Sequence, residues 1–179
     1  MSNNSSDNIE SSTECSVGSG LAMELGQLLL AQALVLTTAE SCTGGLIAGA
    51  ITDVAGSSAW FEQGLVTYSN EVKQALLGVD ETVLIDHGAV SEACVLAMAN
   101  GALHKSRADI AVAASGIAGP GGATEGKPVG MVWLSWASAN GDFADAEVFY
   151  FVGNRQQVRQ QAVLSALRGT IARIENHGH

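Results

Sequence analysis

The chain has 179 residues, 47% of them hydrophobic but only 5% aromatic, and carries a formal net charge of -10. That length predicts one domain with an ordinary Ala/Gly/Val-rich core. The acidic balance argues against a nucleic-acid binder, which needs clustered Lys and Arg against phosphate backbones. A small anionic ligand met by a few local cations stays open. Cys15, Cys42 and Cys94 are odd in number, widely spaced and lack a C-x-x-C pair. Neither a zinc site nor a disulfide framework is expected, and reduced thiols in a cytoplasm are the simpler reading. No apolar run reaches ~18 residues, so no membrane span is predicted. The N-terminus also lacks the basic-then-apolar pattern of a signal peptide.

Residues 1–19 are Ser/Asn-rich with scattered acids and read as a disordered tail, leaving 20–175 as a single domain. Leu21, Leu25, Leu28, Leu29 and Ala33 give an amphipathic helix. A short strand over 34–38 follows, then the polar turn Glu40-Ser41-Cys42-Thr43, the pair Gly44-Gly45 and a helix to about Asp53. A turn at Gly56-Ser57-Ser58 leads to a strand over 64–68. Ser69-Asn70 then caps a helix from Glu71 to Leu77 that ends at Gly78. Ser91-Glu92 opens a further helix to about Lys105. Ile110–Ala114 fits a buried strand, and a Gly-rich segment from Ser115 to Gly130 comes next. Strands over 131–137 and 143–151 form a hairpin through Asn140-Gly141. A last helix covers about 154–174. Strands alternating with helices, plus one late hairpin, predict a three-layer α/β/α sandwich on a mixed, mostly parallel sheet of about five strands.

The strand–turn–helix at Ser41 gathers backbone N–H groups and the positive end of a helix dipole at one point. Read alone, its serine is first a helix cap, among the commonest uses of Ser, and second a nucleophile beside oxyanion donors. No G-x-S-x-G elbow surrounds it. A nucleophilic serine needs a base, and none of His87, His104, His177 and His179 has a context suggesting a triad. Lys73, at the start of a helix, is a candidate base if burial lowers its pKa, and a plain surface lysine otherwise. Tyr68 reads as the end of a strand, where a phenol reaches a cleft or packs in the core. The segment S-G-I-A-G-P-G-G at 115–122 follows a strand and reads either as a ligand-cradling loop or as a flexible surface loop. It matches neither the Walker A pattern nor the dinucleotide fingerprint, so ATP and NAD have no motif here. Arg155 and Arg159 share one face at the start of the last helix, against the dipole, which fits either a solvated helix face or an anion held between them and the free N–H groups.

Taken together these blocks resemble the CinA C-terminal-domain family, which includes stand-alone nicotinamide-nucleotide amidohydrolases. The matching segments are A-E-S-C-T-G-G at 39–45, G-L-V-T-Y-S-N-E-V-K at 64–73 and L-L-G-V at 76–79. Then come G-A-V-S-E at 88–92, S-G-I-A-G-P-G-G at 115–122 and K-P-V-G at 127–130. Jointly they cover about 21–174. Position 115 is Ser where the family pattern leads one to expect Thr. The resemblance implies an α/β/α sandwich that hydrolyses the amide of nicotinamide mononucleotide (NMN) to nicotinate mononucleotide and ammonia, with no metal or other cofactor. It implies Ser41 as nucleophile, Lys73 as base and Tyr68 as an assisting hydroxyl. Arg155, with Arg159, would meet the phosphate. Glu40, Cys42, Thr43, Gly44, Gly45, Ser115, Gly116, Gly119, Gly121 and Gly122 would wall the pocket. A homodimer without nucleic-acid or membrane partners is the implied state. Longer family members carry a separate nucleotide-processing domain ahead of this one, which 179 residues leave no room for. The rival class is a non-catalytic nucleotide-binding or interaction module of competence or DNA-damage contexts.

Overall fold

The computed structural model describes residues 6–177, with side chains from residue 18 onward. In chain order the elements are α1 (Ser6–Ala31), β1 (Leu36–Glu40), α2 (Leu46–Thr52), a 3-10 turn at Ser57–Ala59 and β2 (Phe61–Val66). There follow α3 (Asn70–Leu77), α4 (Glu81–Asp86), α5 (Glu92–Lys105), β3 (Ile110–Gly116), β4 (Met131–Ser138), β5 (Ala144–Tyr150) and α6 (Arg155–His177). The helix expected from Leu21 thus begins at Ser6, inside the segment that composition reads as a tail, and residues 1–5 lie outside the described residues.

The sheet order is β2-β1-β3-β4-β5. β1 pairs parallel with β2 and β3, whereas β3–β4 and β4–β5 are antiparallel. Four strands therefore run one way and β4 alone runs against them. Helices cover both faces, as the sequence predicts for a sandwich on a mixed sheet. On one face α1, α2 and α6 pack over Leu36, Ile110, Val112, Ala114, Leu134 and Trp136. On the other, α5 with α3 packs over Ala39, Ala111, Ala113 and Ala137. The period-2 alternation along β3 sorts its side chains between the two cores. The alanine face makes a thin layer that brings α5 close to the sheet.

Strand boundaries differ from the sequence reading at β1 and β2, and both differences matter for the site. The apolar pair Leu34-Val35 forms the entry to the sheet rather than its first rungs, because the turn after α1 puts Ala33 at φ 55 and Leu34 N–H returns to the Leu29 carbonyl. β1 is therefore shifted two residues on and ends at Glu40, with every residue buried. β2 starts at Phe61 and stops at Val66, leaving Tyr68 beyond its end. α4 has no counterpart in the sequence reading. It spans six residues with no buried side chain, so it leaves no apolar period, and only its Asp80 cap signals it.

Because β1 sits between β2 and β3, the chain leaves β1 toward opposite sides of it. The carboxyl ends of these three parallel strands meet at one edge of the sheet, the crevice where α/β sheets bind ligands.

Candidate active site

Ser41 is the first residue after β1. Its N–H extends the ladder to the Ala114 carbonyl at 2.9 Å, and its carbonyl accepts from Gly44 N–H at 3.1 Å. Gly44 and Gly45 both adopt positive φ (58 and 93), which turns the chain sharply into α2. Alternation along β1 sends Glu40 toward α2 and Ser41 toward α3.

α3 presents Lys73 to that serine. Ser69 caps the helix by accepting from Val72 N–H, and Lys73 follows in the first turn. The lysine is 1% exposed, one of the largest fully buried side chains of the protein. Its Nζ donates to Ser41 Oγ at 3.0 Å, to the Thr67 carbonyl at 2.9 Å and to the Tyr68 carbonyl at 3.3 Å. Burial pushes its pKa below the ordinary lysine value, partly opposed by Cys94, Cys42 and Glu71. Among the described residues no carboxylate pairs with it, so the amine is held by neutral oxygens.

A cavity of about 220 Å³ opens over this pair. Ser41, Cys42, Tyr68, Asn70, Lys73, Ala89, Val90, Ser115, Gly116, Ala118 and Arg155 line it. At its mouth Arg155 donates to Tyr68 Oη at 3.0 Å and to the Gly119 carbonyl at 2.8 Å. Tyr68 is 60% exposed, a rim residue rather than a core one. Ser115 donates to the Ala89 carbonyl at 2.7 Å, and Lys127 Nζ donates to the His87 carbonyl, also at 2.7 Å. These two bonds tie the Gly-rich loop to the segment carrying Ala89 and Val90. Burial pushes the Cys42 thiol up to about 11, only partly offset by the N–H groups of Cys42 and Thr43. This thiol is neutral at physiological pH, the unreactive form of a cysteine.

Of the residues the sequence picks for the site, the structure brings Ser41, Tyr68, Lys73, Cys42, Ser115, Gly116 and Arg155 to this cavity, and others stand elsewhere. Glu40 is fully buried, its carboxylate accepting the N–H groups of Gly45, Ile47 and Ala48 at 2.8–3.1 Å. The helix-N-terminal anion site expected for a ligand is thus filled by the chain's own carboxylate. Ser41, in turn, is not the helix cap. Thr43, Gly44 and Gly45 carry the chain into α2 outside the lining, with Thr43 buried and Gly44 exposed. Gly119 contributes its carbonyl to Arg155, while Gly121 and Gly122 lie exposed on the outer part of the loop, away from the lining. Arg159 does not join Arg155: it donates to the Thr43 carbonyl at 2.8 Å. The amides at the start of α6 are not free for an anion either, since Asn154 Oδ1 accepts from Gln156 and Gln157.

Sequence reasoning missed Asn70, Ala89, Val90 and Ala118 as lining residues. Asn70 read as part of a cap, and the small apolar residues carry no chemistry to mark them. His104 bonds within its own helix and His87 ends α4, both outside the lining. Among the described residues no group of three His, Cys, Asp or Glu side chains stands ready to hold a metal ion, and no helix is long and apolar enough to cross a membrane.

Fold and site define a three-layer α/β/α protein with a buried serine–lysine pair at the carboxyl ends of its parallel strands, under a Gly-rich loop. Residues 19–174 match the model of the CinA C-terminal domain. The chain belongs to that family. The nicotinamide-nucleotide amidohydrolase PncC of Escherichia coli K12 is 55% identical over 148 residues, 83% of this chain and 89% of the relative. The Pseudomonas putida protein of the same name is 51% identical over 151 residues, 84% of this chain and 93% of its own. Among solved structures, the competence/damage inducible protein CihA from Agrobacterium tumefaciens superposes with a TM-score of 0.85 at 45% identity, covering 88% of this chain and 95% of that one. A CinA superfamily protein from Klebsiella pneumoniae gives 0.85 at 38% identity over 89% and 98%.

Proposed function

We propose that this protein hydrolyses the amide of nicotinamide mononucleotide, giving nicotinate mononucleotide and ammonia, with Ser41 as nucleophile and Lys73 as its base. The observation that carries this reading is the 3.0 Å contact between Lys73 Nζ and Ser41 Oγ, with the lysine buried and its pKa lowered. The Thr67 and Tyr68 carbonyls take two N–H groups of a neutral amine, which leaves the nitrogen lone pair for the serine proton. The substrate class rests on the amidohydrolases named above.

Ser41 Oγ attacks the amide carbon as its proton passes to Lys73. The oxyanion forms beside the N–H groups of Cys42 and Thr43, which Glu40 does not occupy. The C–N bond then breaks, Lys73 returns the proton to the nitrogen, and ammonia leaves. Water next attacks the acyl-serine, giving a proton to Lys73; the bond from carbon to Ser41 Oγ breaks as Lys73 returns that proton to Oγ, and the acid product leaves, losing its own proton to solvent as a carboxylate. Ligand pockets typically measure ~300–1,000 Å³. The cavity of about 220 Å³ is smaller, so it takes the ring and amide while the ribose phosphate lies outward, at Arg155. There the guanidinium exchanges the Tyr68 hydroxyl for phosphate oxygens, freeing the phenol to assist proton transfer.

Ammonia release from NMN tests the reading. Ser41→Ala and Lys73→Ala should both fall to near background while remaining folded. Full activity of Ser41→Ala would end the covalent mechanism. A wild-type protein inactive on NMN, nicotinamide and NAD alike would favour the non-catalytic binding module.

A further inference from the structure

We infer that Glu40 and Arg159 are positioning residues: two buried-side braces that hold the Ser41 turn in register from beneath, without touching substrate. This rests on Ser41 being the nucleophile.

The argument starts from β1. One peptide unit separates Glu40 from Ser41, and strand alternation points them to opposite sides of the sheet. Whatever fixes Glu40 therefore fixes the backbone from which Ser41 projects. Glu40 is held by three amides of the α2 N-terminus and by Thr38 Oγ1, which donates to Oε1 at 3.3 Å. A carboxylate at a helix N-terminus accepts charge-assisted hydrogen bonds and meets the favourable end of the dipole. Among the described residues it has no ion-pair partner within 4.0 Å. Three of its four partners are backbone amides that have one position each, and they lock α2 onto the end of β1.

Arg159 holds the other end. From α6 it reaches the Thr43 carbonyl at 2.8 Å, at a point where an added Cβ on Gly44 would come within 3.2 Å of its guanidinium. Gly44 thus serves twice, supplying a positive φ and leaving room for the arginine. With Glu40 below residue 41 and Arg159 below residue 43, the peptides carrying the Cys42 and Thr43 amides are clamped at both ends. Neither side chain lines the cavity.

The test uses the full chain with NMN, reading kcat and KM separately. It adds the rate at which a fluorophosphonate probe labels Ser41, and the Tm. Gln at position 40 keeps one acceptor oxygen but turns an NH₂ toward amides that also donate, so at least one bond is lost. Glu40→Gln should lower kcat and the labelling rate about tenfold or more, with KM within about twofold. Arg159→Lys keeps a donor for the Thr43 carbonyl, so kcat should fall in the order wild type, Arg159→Lys, Arg159→Ala. That series carries the test even if Glu40→Gln fails to fold. Arg173→Ala is the control for plain destabilisation. Arg173 pairs with Asp145 and Glu147 and lies 3.6 Å over the Trp136 ring, so its loss should lower Tm and leave kcat alone. A rise in KM at unchanged kcat on replacing Arg159 would make it a substrate anchor and overturn the inference. So would wild-type kcat in folded variants at both positions. Residual full activity in Ser41→Ala would instead remove the nucleophile on which the inference stands.

Discussion

Lys73 is the residue on which the proposed chemistry turns, and its proton should be visible in two independent ways. Burial lowers its pKa, so the neutral amine is populated below the ordinary lysine value of ~10.4. The kcat/KM of NMN hydrolysis should rise with pH along one limb whose midpoint lies below that value. A limb at or above it would mean that another group is the base. Folding stability carries the same signature. With the folded pKa depressed, the unfolded chain binds more protons between the folded value and ~10.4, so stability rises with pH across that window. Lys73→Met lacks this term. The Tm of the wild type should therefore gain on that of Lys73→Met as pH goes from about 7 toward 10. A flat difference would show that the amine keeps its ordinary proton affinity in the folded protein. Lys73→Arg should be inactive, since a guanidinium holds its proton throughout.

α3 delivers that lysine, and α5 decides where α3 lies. Gly101 sits where the two helices cross: an added Cβ there would meet the Leu77 carbonyl oxygen and, at 2.8 Å, the Leu77 Cβ. Helix propensity alone makes Gly101→Ala stabilising by about 1 kcal/mol. Overpacking costs about 1–3 kcal/mol, and the atoms met belong to the backbone, which yields least. Gly101→Ala should therefore lower Tm and shift α3, and a shift of ~1 Å at Lys73 costs up to about 100-fold in kcat. A raised Tm with full kcat would show that the crossing has slack. The element level is also where the sequence is most and least legible. Long apolar periods place α5, α6 and the β4–β5 hairpin well, because one buried face suffices to mark them, whereas α1 begins at Ser6, well before the Leu21 at which its apolar spacing starts. β1 is misplaced by two residues because its polar end, Thr37, Thr38 and Glu40, is buried for hydrogen-bonding reasons that hydrophobicity does not register. Ser41, Tyr68, Lys73 and Arg155 stand out in the sequence as a set only through family resemblance. The separate tasks of Glu40 and Arg159 are invisible there, since the carboxylate's partners are amides and the guanidinium's is a carbonyl, and any sequence has those.

At the scale of the molecule, the sheet divides the protein into two cores with different relations to the site. The face under α1, α2 and α6 is thick, with Leu25, Leu29, Trp60 and Trp136 fully or almost fully buried. The face under α5 is thin, built on Ala39, Ala111, Ala113 and Ala137, and it carries Leu77 and Cys94 around the lysine. The first core therefore supplies most of the apolar burial, and the second sets the distance between Lys73 and Ser41. Leu29→Ala and Leu77→Ala separate these tasks. Each removes a buried leucine and should cost about 2–5 kcal/mol, or roughly 2–4 °C in Tm for each kcal/mol in a domain of this size. At 25 °C, well below either midpoint, Leu29→Ala should keep kcat and KM within about twofold, because none of the described side chains of α1 lines the cavity. Leu77→Ala loosens the end of the helix that holds Lys73, and should lose about tenfold or more in kcat at a similar loss of Tm. Thermal unfolding and NMN turnover on the same preparations would decide it. Equal losses of kcat in the two variants would mean that the rigidity of the whole sandwich, rather than the α3–α5 layer, keeps the amine within reach of the serine.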